Sequence, residues 1–185
     1  MGQMMKGKTA IVTGASRGIG KALACSAAGL GINLAIAARQ YEPLKAAADD
    51  ISAKYGVKVL PVAADVTKLE DLQNLVKKTR EEFGRIDILI NNAGVSSQYP
   101  FQQQPIEDFE KLVYTNYLGY VRMIRLVIED MIKNRSGAVI NMVSGSTLCD
   151  PIPRNFLVYS SLKVGLRAFS KGLFWELRDY GIKVT

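Results

Sequence analysis

The sequence predicts an α/β fold in which an open parallel sheet is covered on both faces by helices, and three observations carry that prediction. Short strand-like runs alternate along the chain with helix-like stretches. The strand runs are apolar at consecutive rather than alternate positions, as strands buried on both faces must be. The first strand breaks at a glycine and passes straight into a helix-favouring stretch, a strand–turn–helix unit.

In chain order, the β-rich run 10–13 ends at Gly14, and 21–30 reads as a helix stopped by Gly29-Leu30-Gly31. A second apolar strand at 33–37 precedes a helix at 43–55, and a third at 57–62 precedes a helix at 69–83. A fourth strand at 86–90 opens into a Gln-, Ser- and Pro-rich loop at 95–105, at the carboxyl edge of the sheet. A long helix at 106–134 leads to a fifth strand at 138–143, a helix at 159–180 and the start of a sixth strand at Ile182. Repeats, low-complexity tracts and linkers are absent, so 185 residues read as one domain spanning 1–185.

Composition narrows the function classes. Apolar residues make up 48 % and charged residues 22 %, with no run near the roughly 20 apolar residues of a membrane span. Met1 lies almost directly before the first strand, which leaves no room for a signal peptide and points to the cytoplasm. Cys25 and Cys149 lack metal or disulfide spacing, so no metal site is expected, and the absence of histidine rules out a His-dependent triad. The net charge of +7 is spread over helix faces beside acids, as in Lys77, Lys78, Arg80, Glu81 and Glu82, without the aromatic interleaving of a nucleic-acid binder. Glu42 is the first carboxylate, whereas Lys6, Lys8, Arg17, Lys21 and Arg39 precede it. A positive first βαβ segment suits a small polyanion better than a duplex.

Two stretches carry chemistry. In Thr13-Gly14-Ala15-Ser16-Arg17-Gly18-Ile19-Gly20, Gly14 permits a sharp turn, Gly18 lets backbone approach phosphate and Gly20 lets the helix pack on the strand. A glycine turn without a ligand is the plain alternative. Tyr159 and Lys163 stand four residues apart, one helical turn on one face. An ammonium about 4 Å from a phenol favours the phenolate by roughly 4 kcal/mol at an effective dielectric near 20. An interfacial tyrosine followed by a lysine lying along apolar surface is the bland alternative.

Together with Asn91-Asn92-Ala93-Gly94, and in this order, these two motifs resemble the short-chain dehydrogenase/reductase family, and the resemblance covers essentially the whole chain. It implies a Rossmann-type doubly wound parallel sheet flanked by helices, with 1–100 mainly the cofactor-binding half and 101–185 the catalytic half. It implies an oxidoreductase that moves a hydride between NADP(H) and a small-molecule carbonyl or secondary alcohol. The implied catalytic set is Asn116, Ser144, Tyr159 and Lys163. Tyr159 exchanges a proton with the substrate oxygen, and Lys163 favours its phenolate and binds the nicotinamide ribose. Ser144 steadies the substrate oxygen, and Asn116 holds a relay water. The implied cofactor contacts are Gly14, Ser16, Arg17, Gly18, Ile19, Gly20, Arg39, Asp65, Val66, Asn91, Ala93 and Gly94, with Tyr159 and Lys163 shared.

The cofactor is expected to be NADP. The second strand ends in Ala37-Ala38-Arg39-Gln40, without the carboxylate that binds ribose hydroxyls, and Arg39 and Arg17 offer guanidinium groups for a 2′-phosphate. Solvation of a strand end is the other reading of Arg39. Asp65 reads as a ligand of the adenine amino group by resemblance and as a turn or cap by its Val66-Thr67 context. Buried asparagine side chains at the end of the fourth strand are expected chiefly to tie neighbouring strands, with Gly94 leaving space for the ribose and Asn91 the residue that lines the cofactor site. Ser144, at the strand end, is favoured over Ser146, which has the commoner family separation from the tyrosine. Helices 106–134 and 159–180 carry Tyr114, Val121, Leu166, Phe169, Leu173 and Trp175, more apolar surface than one sheet face covers, and the resemblance implies a homodimer or homotetramer. A non-catalytic NADP-binding sensor or interaction protein is the competing reading. The resemblance also implies a further strand and substrate segment beyond Thr185.

Overall fold

The computed structural model describes residues 5–185. Met1 and the targeting argument built on it lie outside the described residues. Six strands form one parallel sheet in the order β3-β2-β1-β4-β5-β6: β1 Thr9–Thr13, β2 Asn33–Ala38, β3 Val59–Ala63, β4 Ile88–Asn91, β5 Gly137–Asn141 and β6 Ile182–Val184. The helices are α1 Gly18–Gly29, α2 Tyr41–Tyr55, α3 Leu69–Phe83, α4 Ile106–Val113, α5 Gly119–Lys133 and α6 Leu157–Leu177. This is the doubly wound arrangement that the consecutive apolar strand positions demand.

The alternation of side chains along β1 explains the two cores. Ile11 joins Leu72, Leu75, Met123 and Val127 from α3 and α5 on one face, with Leu177 of α6. Ala10 and Val12 join Ala24, Ala27, Leu44, Ala47 and Ile51 from α1 and α2 on the other. The small alanines of α1 let that helix lie close to the sheet. Pro61 falls inside β3, which is tolerated because β3 is an edge strand with one side free of ladder bonds.

The structure moves several boundaries. Helix α1 starts at Gly18 rather than at residue 21, so the glycine motif builds its first turn. The third strand starts at Val59 rather than at residue 57. The fifth strand ends at Asn141 rather than at residue 143, although Met142 still donates its N–H to the Asn91 carbonyl at 2.9 Å. Helix 106–134 is interrupted by a π-helical turn, Tyr114–Leu118, between α4 and α5. Helix α6 begins at Leu157, which puts Tyr159 in its first turn, and it closes in a 3₁₀ turn, Arg178–Tyr180.

Of the apolar residues read as surplus, Leu166 is buried, Phe169 and Leu173 pack against the core that contains Ile11, and Tyr114 and Trp175 are exposed, as are Leu157, Val164 and Phe174. No described helix is long and apolar enough to cross a membrane.

Candidate active site

The strand order reverses at β1, whose neighbours β2 and β4 lead away in opposite directions, so a crevice opens at the carboxyl ends of β1 and β4. After Thr13 the chain turns at Gly14 (φ +69°), where a Cβ would lie 2.8 Å from Ala93 Cα. A Cβ on Gly20 would overlap the Gly14 carbonyl oxygen, so only glycine lets α1 seat against this turn. Gly18 (φ +58°) faces open space, and the first turn of α1 carries no acidic side chain. Its unpaired N–H groups and positive helix end therefore form an uncontested anion cradle, flanked by Ser16 and Arg17.

Thr13 and Asn92 pin this turn to β4. Thr13 Oγ1 accepts from the N–H groups of Asn92 (3.0 Å) and Ala93 (3.1 Å), and Asn92 Nδ2 donates to the Thr13 carbonyl (3.0 Å) and the Gly14 carbonyl (3.3 Å). Asn91 has the strand-tying role expected of this motif. Its buried amide donates to Asn141 Oδ1 at 3.0 Å and to the Tyr120 carbonyl at 3.4 Å, and so ties β4 to β5, while Asn92 is the asparagine on the cleft.

At the β2 end, Arg39 is exposed, and none of the ion pairs among the described residues uses it or Arg17. Asp65 Oδ1 accepts from the N–H (2.9 Å) and hydroxyl (2.8 Å) of Thr67, which makes the turn that its sequence context suggested. Burial pushes the Asp65 carboxyl up, but the two Thr67 hydrogen bonds and the charges of Arg39 and Lys68 outweigh it and hold the group below the usual carboxylate range. Val66 is buried, with its carbonyl against Gly119. These features fit a dinucleotide: an anion cradle flanked by Arg17, and a carboxylate kept ionised with the Arg39 charge nearby.

Three of the four catalytic candidates, Asn116, Tyr159 and Lys163, meet in a cleft of about 210 Å³ lined also by Ile19, Asn92 and Gly94; its wall runs along Met142 and Val143 and stops short of Ser144. Asn116 lies in the π-helical turn and is fully buried. Its Nδ2 donates to the carbonyls of Val95 (2.9 Å) and Leu112 (3.2 Å), and its Oδ1 accepts the Val95 N–H (3.2 Å). Both amide N–H bonds are thus spent on backbone, so the side chain shapes the loop after β4, and a relay water at Asn116 would have to donate to one of its oxygens. Gly94 is required beside it, because a Cβ there would lie 2.8 Å from Asn116 Oδ1.

Lys163 is 2 % exposed. Its ammonium donates to the Met142 carbonyl at 2.7 Å and to the Tyr120 hydroxyl at 3.3 Å, and it stands 4.7 Å from the centre of the Tyr120 ring. Burial pulls its pKa down from 10.5 to about 8. Tyr159 shares the cleft, but the lysine's hydrogen bonds go to Met142 and Tyr120. Nothing in the Tyr-x-x-x-Lys spacing points to Tyr120. The nearest signal is its place four residues after Asn116, one turn along the same helical run.

Ser144 and Ser146 are a linked pair. Ser144 Oγ accepts from the Ser146 N–H (3.2 Å) and from the Ser146 hydroxyl (3.0 Å), which caps the 3₁₀ turn Gly145–Leu148. Ser144's own proton is left for another acceptor. A hollow of about 290 Å³ between Arg80, Arg85, Asp130 and Lys133 lies at the opposite edge of the sheet, where Arg80 is paired with Asp130 and Arg85 with Asp87.

A family model described as short chain dehydrogenase matches residues 8–185. A 3-oxoacyl-[acyl-carrier-protein] reductase of Synechocystis is 33 % identical over 182 residues, covering 96 % of this chain and 71 % of the relative. The crystal structure of L-sorbose reductase from Gluconobacter frateurii complexed with NADPH and L-sorbose superposes with a TM-score of 0.92 at 34 % identity, over 97 % of this chain and 67 % of that one. NAD+-bound xylitol dehydrogenase superposes with a TM-score of 0.91 at 30 % identity, over 97 % of this chain and 68 % of that one.

Proposed function

The chain belongs to the short-chain dehydrogenase family, and from that premise we propose that it reduces the carbonyl of a small molecule with NADPH, or oxidises the corresponding alcohol with NADP+. The observation that carries this reading is the meeting of Tyr159 and Lys163, one turn apart on α6, with Ile19 of the glycine turn and with Asn92 in a single cleft. The Synechocystis relative is named a reductase and the sorbose reductase was solved with NADPH, which supports the direction and the cofactor.

The N-terminus of α1 with Ser16 would hold the pyrophosphate, Arg17 and Arg39 the adenosine 2′-phosphate, Asp65 the adenine amino group and Lys163 the nicotinamide ribose. The bound nicotinamide supplies the hydride in reduction and accepts it in oxidation. Tyr159 donates its hydroxyl proton to the substrate oxygen as negative charge develops there, and Lys163 favours the phenolate left behind. Ser144 donates to the same oxygen, and the hydrogen bond that Ser144 accepts from the Ser146 hydroxyl sharpens it as a donor.

The test is NADPH oxidation by the purified chain on addition of carbonyls from several classes, including 3-oxoacyl thioesters, ketoses and aromatic ketones. Tight NADPH binding with no turnover on any of them would replace this reading with that of a binding-only sensor. Cofactor choice is tested by affinity. NADPH should bind at least about tenfold more tightly than NADH, roughly 1.4 kcal/mol, and Arg39→Asp should erase or reverse the preference. Equal affinities in the unmodified chain would remove Arg39 from the site. The serines separate by rate. Ser144→Ala should cost about 10²–10³ in kcat, the loss typical of an oxyanion donor. Ser146→Ala should cost far less, because it removes only a bond to Ser144, and a larger loss at Ser146 would exchange their roles.

A further inference from the structure

We propose that Tyr120 is a positioning residue for Lys163: its hydroxyl and ring face fix the ammonium at the base of the cleft without themselves reaching substrate. This rests on the reading of Lys163 as the lysine that serves Tyr159 and the cofactor ribose.

Three contacts carry the proposal. Lys163 Nζ donates to the Tyr120 hydroxyl at 3.3 Å and to the Met142 carbonyl at 2.7 Å, and it lies 4.7 Å from the Tyr120 ring centre, within cation–π range. An ammonium has three N–H bonds, so these two partners leave one to turn toward Tyr159 and the ribose. Tyr120 is placed by the scaffold rather than by the cleft. It is 1 % exposed on α5, and its carbonyl receives the Asn91 amide at 3.4 Å, which links it to β4.

Two phenols therefore attend one lysine, and burial divides their work. Tyr159 lines the cleft and can meet substrate, whereas Tyr120 is sealed behind Lys163. Burial, with the neighbouring Tyr159, also pushes the Tyr120 pKa well above that of an ordinary phenol, so it stays neutral and serves only as a dipole and a π face. The lysine needs such a neighbour because burial disfavours its charge. The titratable groups facing it are Tyr120 from α5 and Tyr159 from its own helix. The stretch after β5 and the π-helical turn contribute only uncharged groups to this wall, Met142 with Val143 and the Asn116 amide. Among the described residues, no carboxylate pairs with Lys163.

The experiment follows the Lys163 side chain by NMR in the full chain labelled at lysine Cε, without cofactor, with the signal assigned by its loss in Lys163→Met. Tyr120→Phe keeps the ring and its packing and removes one acceptor. It should lower the Lys163 titration midpoint by about half a pH unit or more, and weaken NADPH binding at pH 8 by roughly threefold. Tyr120→Leu, which removes the ring as well, should lower the midpoint further, by about one unit or more. An unchanged midpoint in Tyr120→Phe overturns the proposal. The titration needs neither cofactor nor turnover, so a chain that failed to reduce carbonyls would count against the proposed function while this measurement still decided the role of Tyr120.

Discussion

Tyr159→Phe is expected to lower turnover by at least about 10²–10⁴-fold, the range assigned to a positioned general acid, while NADPH affinity and thermal stability stay near those of the unmodified chain. The substitution deletes one oxygen and keeps the ring, whose edge-to-face contact with Phe156 (centroids 6.3 Å apart) survives intact. No hydrogen bond among the described residues depends on the Tyr159 hydroxyl, so its removal leaves no buried partner unsatisfied and should cost little stability. The other phenol nearby cannot substitute. Tyr120 is buried behind Lys163 and remains protonated far above neutral pH. Steady-state kinetics on a carbonyl that the unmodified chain reduces, with NADPH binding measured in parallel, checks the prediction. A variant retaining near-normal turnover would show that the proton comes from elsewhere, and Ser144 would be the next candidate.

The features legible in the sequence were those written in short, local patterns. The glycine turn could be read because Gly14 and Gly20 answer steric demands made within a few residues, the backbone turn and the seating of α1 on it. The consecutive apolar residues of β1, β2 and β4 announced strands buried on both faces, and the sheet bears this out. What stayed hidden depends on which way a side chain turns or on partners far along the chain. Asn91 and Asn92 are adjacent at a strand end, where a shift of one residue exchanges faces, so the motif gave the pair but not which member meets the cleft. Thr13 reads as an ordinary strand residue until Asn92 arrives from 79 positions away to use its hydroxyl. The π-helical turn around Asn116 leaves the apolar pattern of 106–134 looking like one continuous helix, although it sets the angle at which that amide reaches Val95. Tyr120 was invisible for a similar reason: an aromatic on a core-facing helix position is expected, and only the approach of Lys163 from α6 gives it a polar task.

Lys163→Met is expected to separate function from stability in opposite directions. NADPH affinity and turnover should both fall sharply, since the ammonium serves the ribose and the phenolate, yet the chain should become more resistant to unfolding at pH 7. The reason is the cost of burying the charge. Depression of the Lys163 pKa from 10.5 to about 8 corresponds to about 3 kcal/mol of unfavourable desolvation while the lysine is charged. Methionine fills similar space without charge. It leaves the Met142 carbonyl without its donor, a loss of about 1–2 kcal/mol, so the net gain should be about 1–2 kcal/mol. The pH dependence has a definite sign. Below about pH 8 the lysine is protonated in both folded and unfolded chains and the whole penalty is present. Between about pH 8 and 10.5 the unfolded chain holds more protons than the folded one, so the stability of the unmodified chain rises relative to the variant. The variant's advantage disappears within this window and becomes a deficit of about 1–2 kcal/mol by its upper limit, the lost Met142 hydrogen bond alone. Denaturant unfolding of both chains from pH 7 to 10.5 reads this difference directly. A variant that is less stable at pH 7 by an amount indifferent to pH would mean that Lys163 is held at no cost, and the picture of a strained, buried ammonium poised against the cleft would have to be given up.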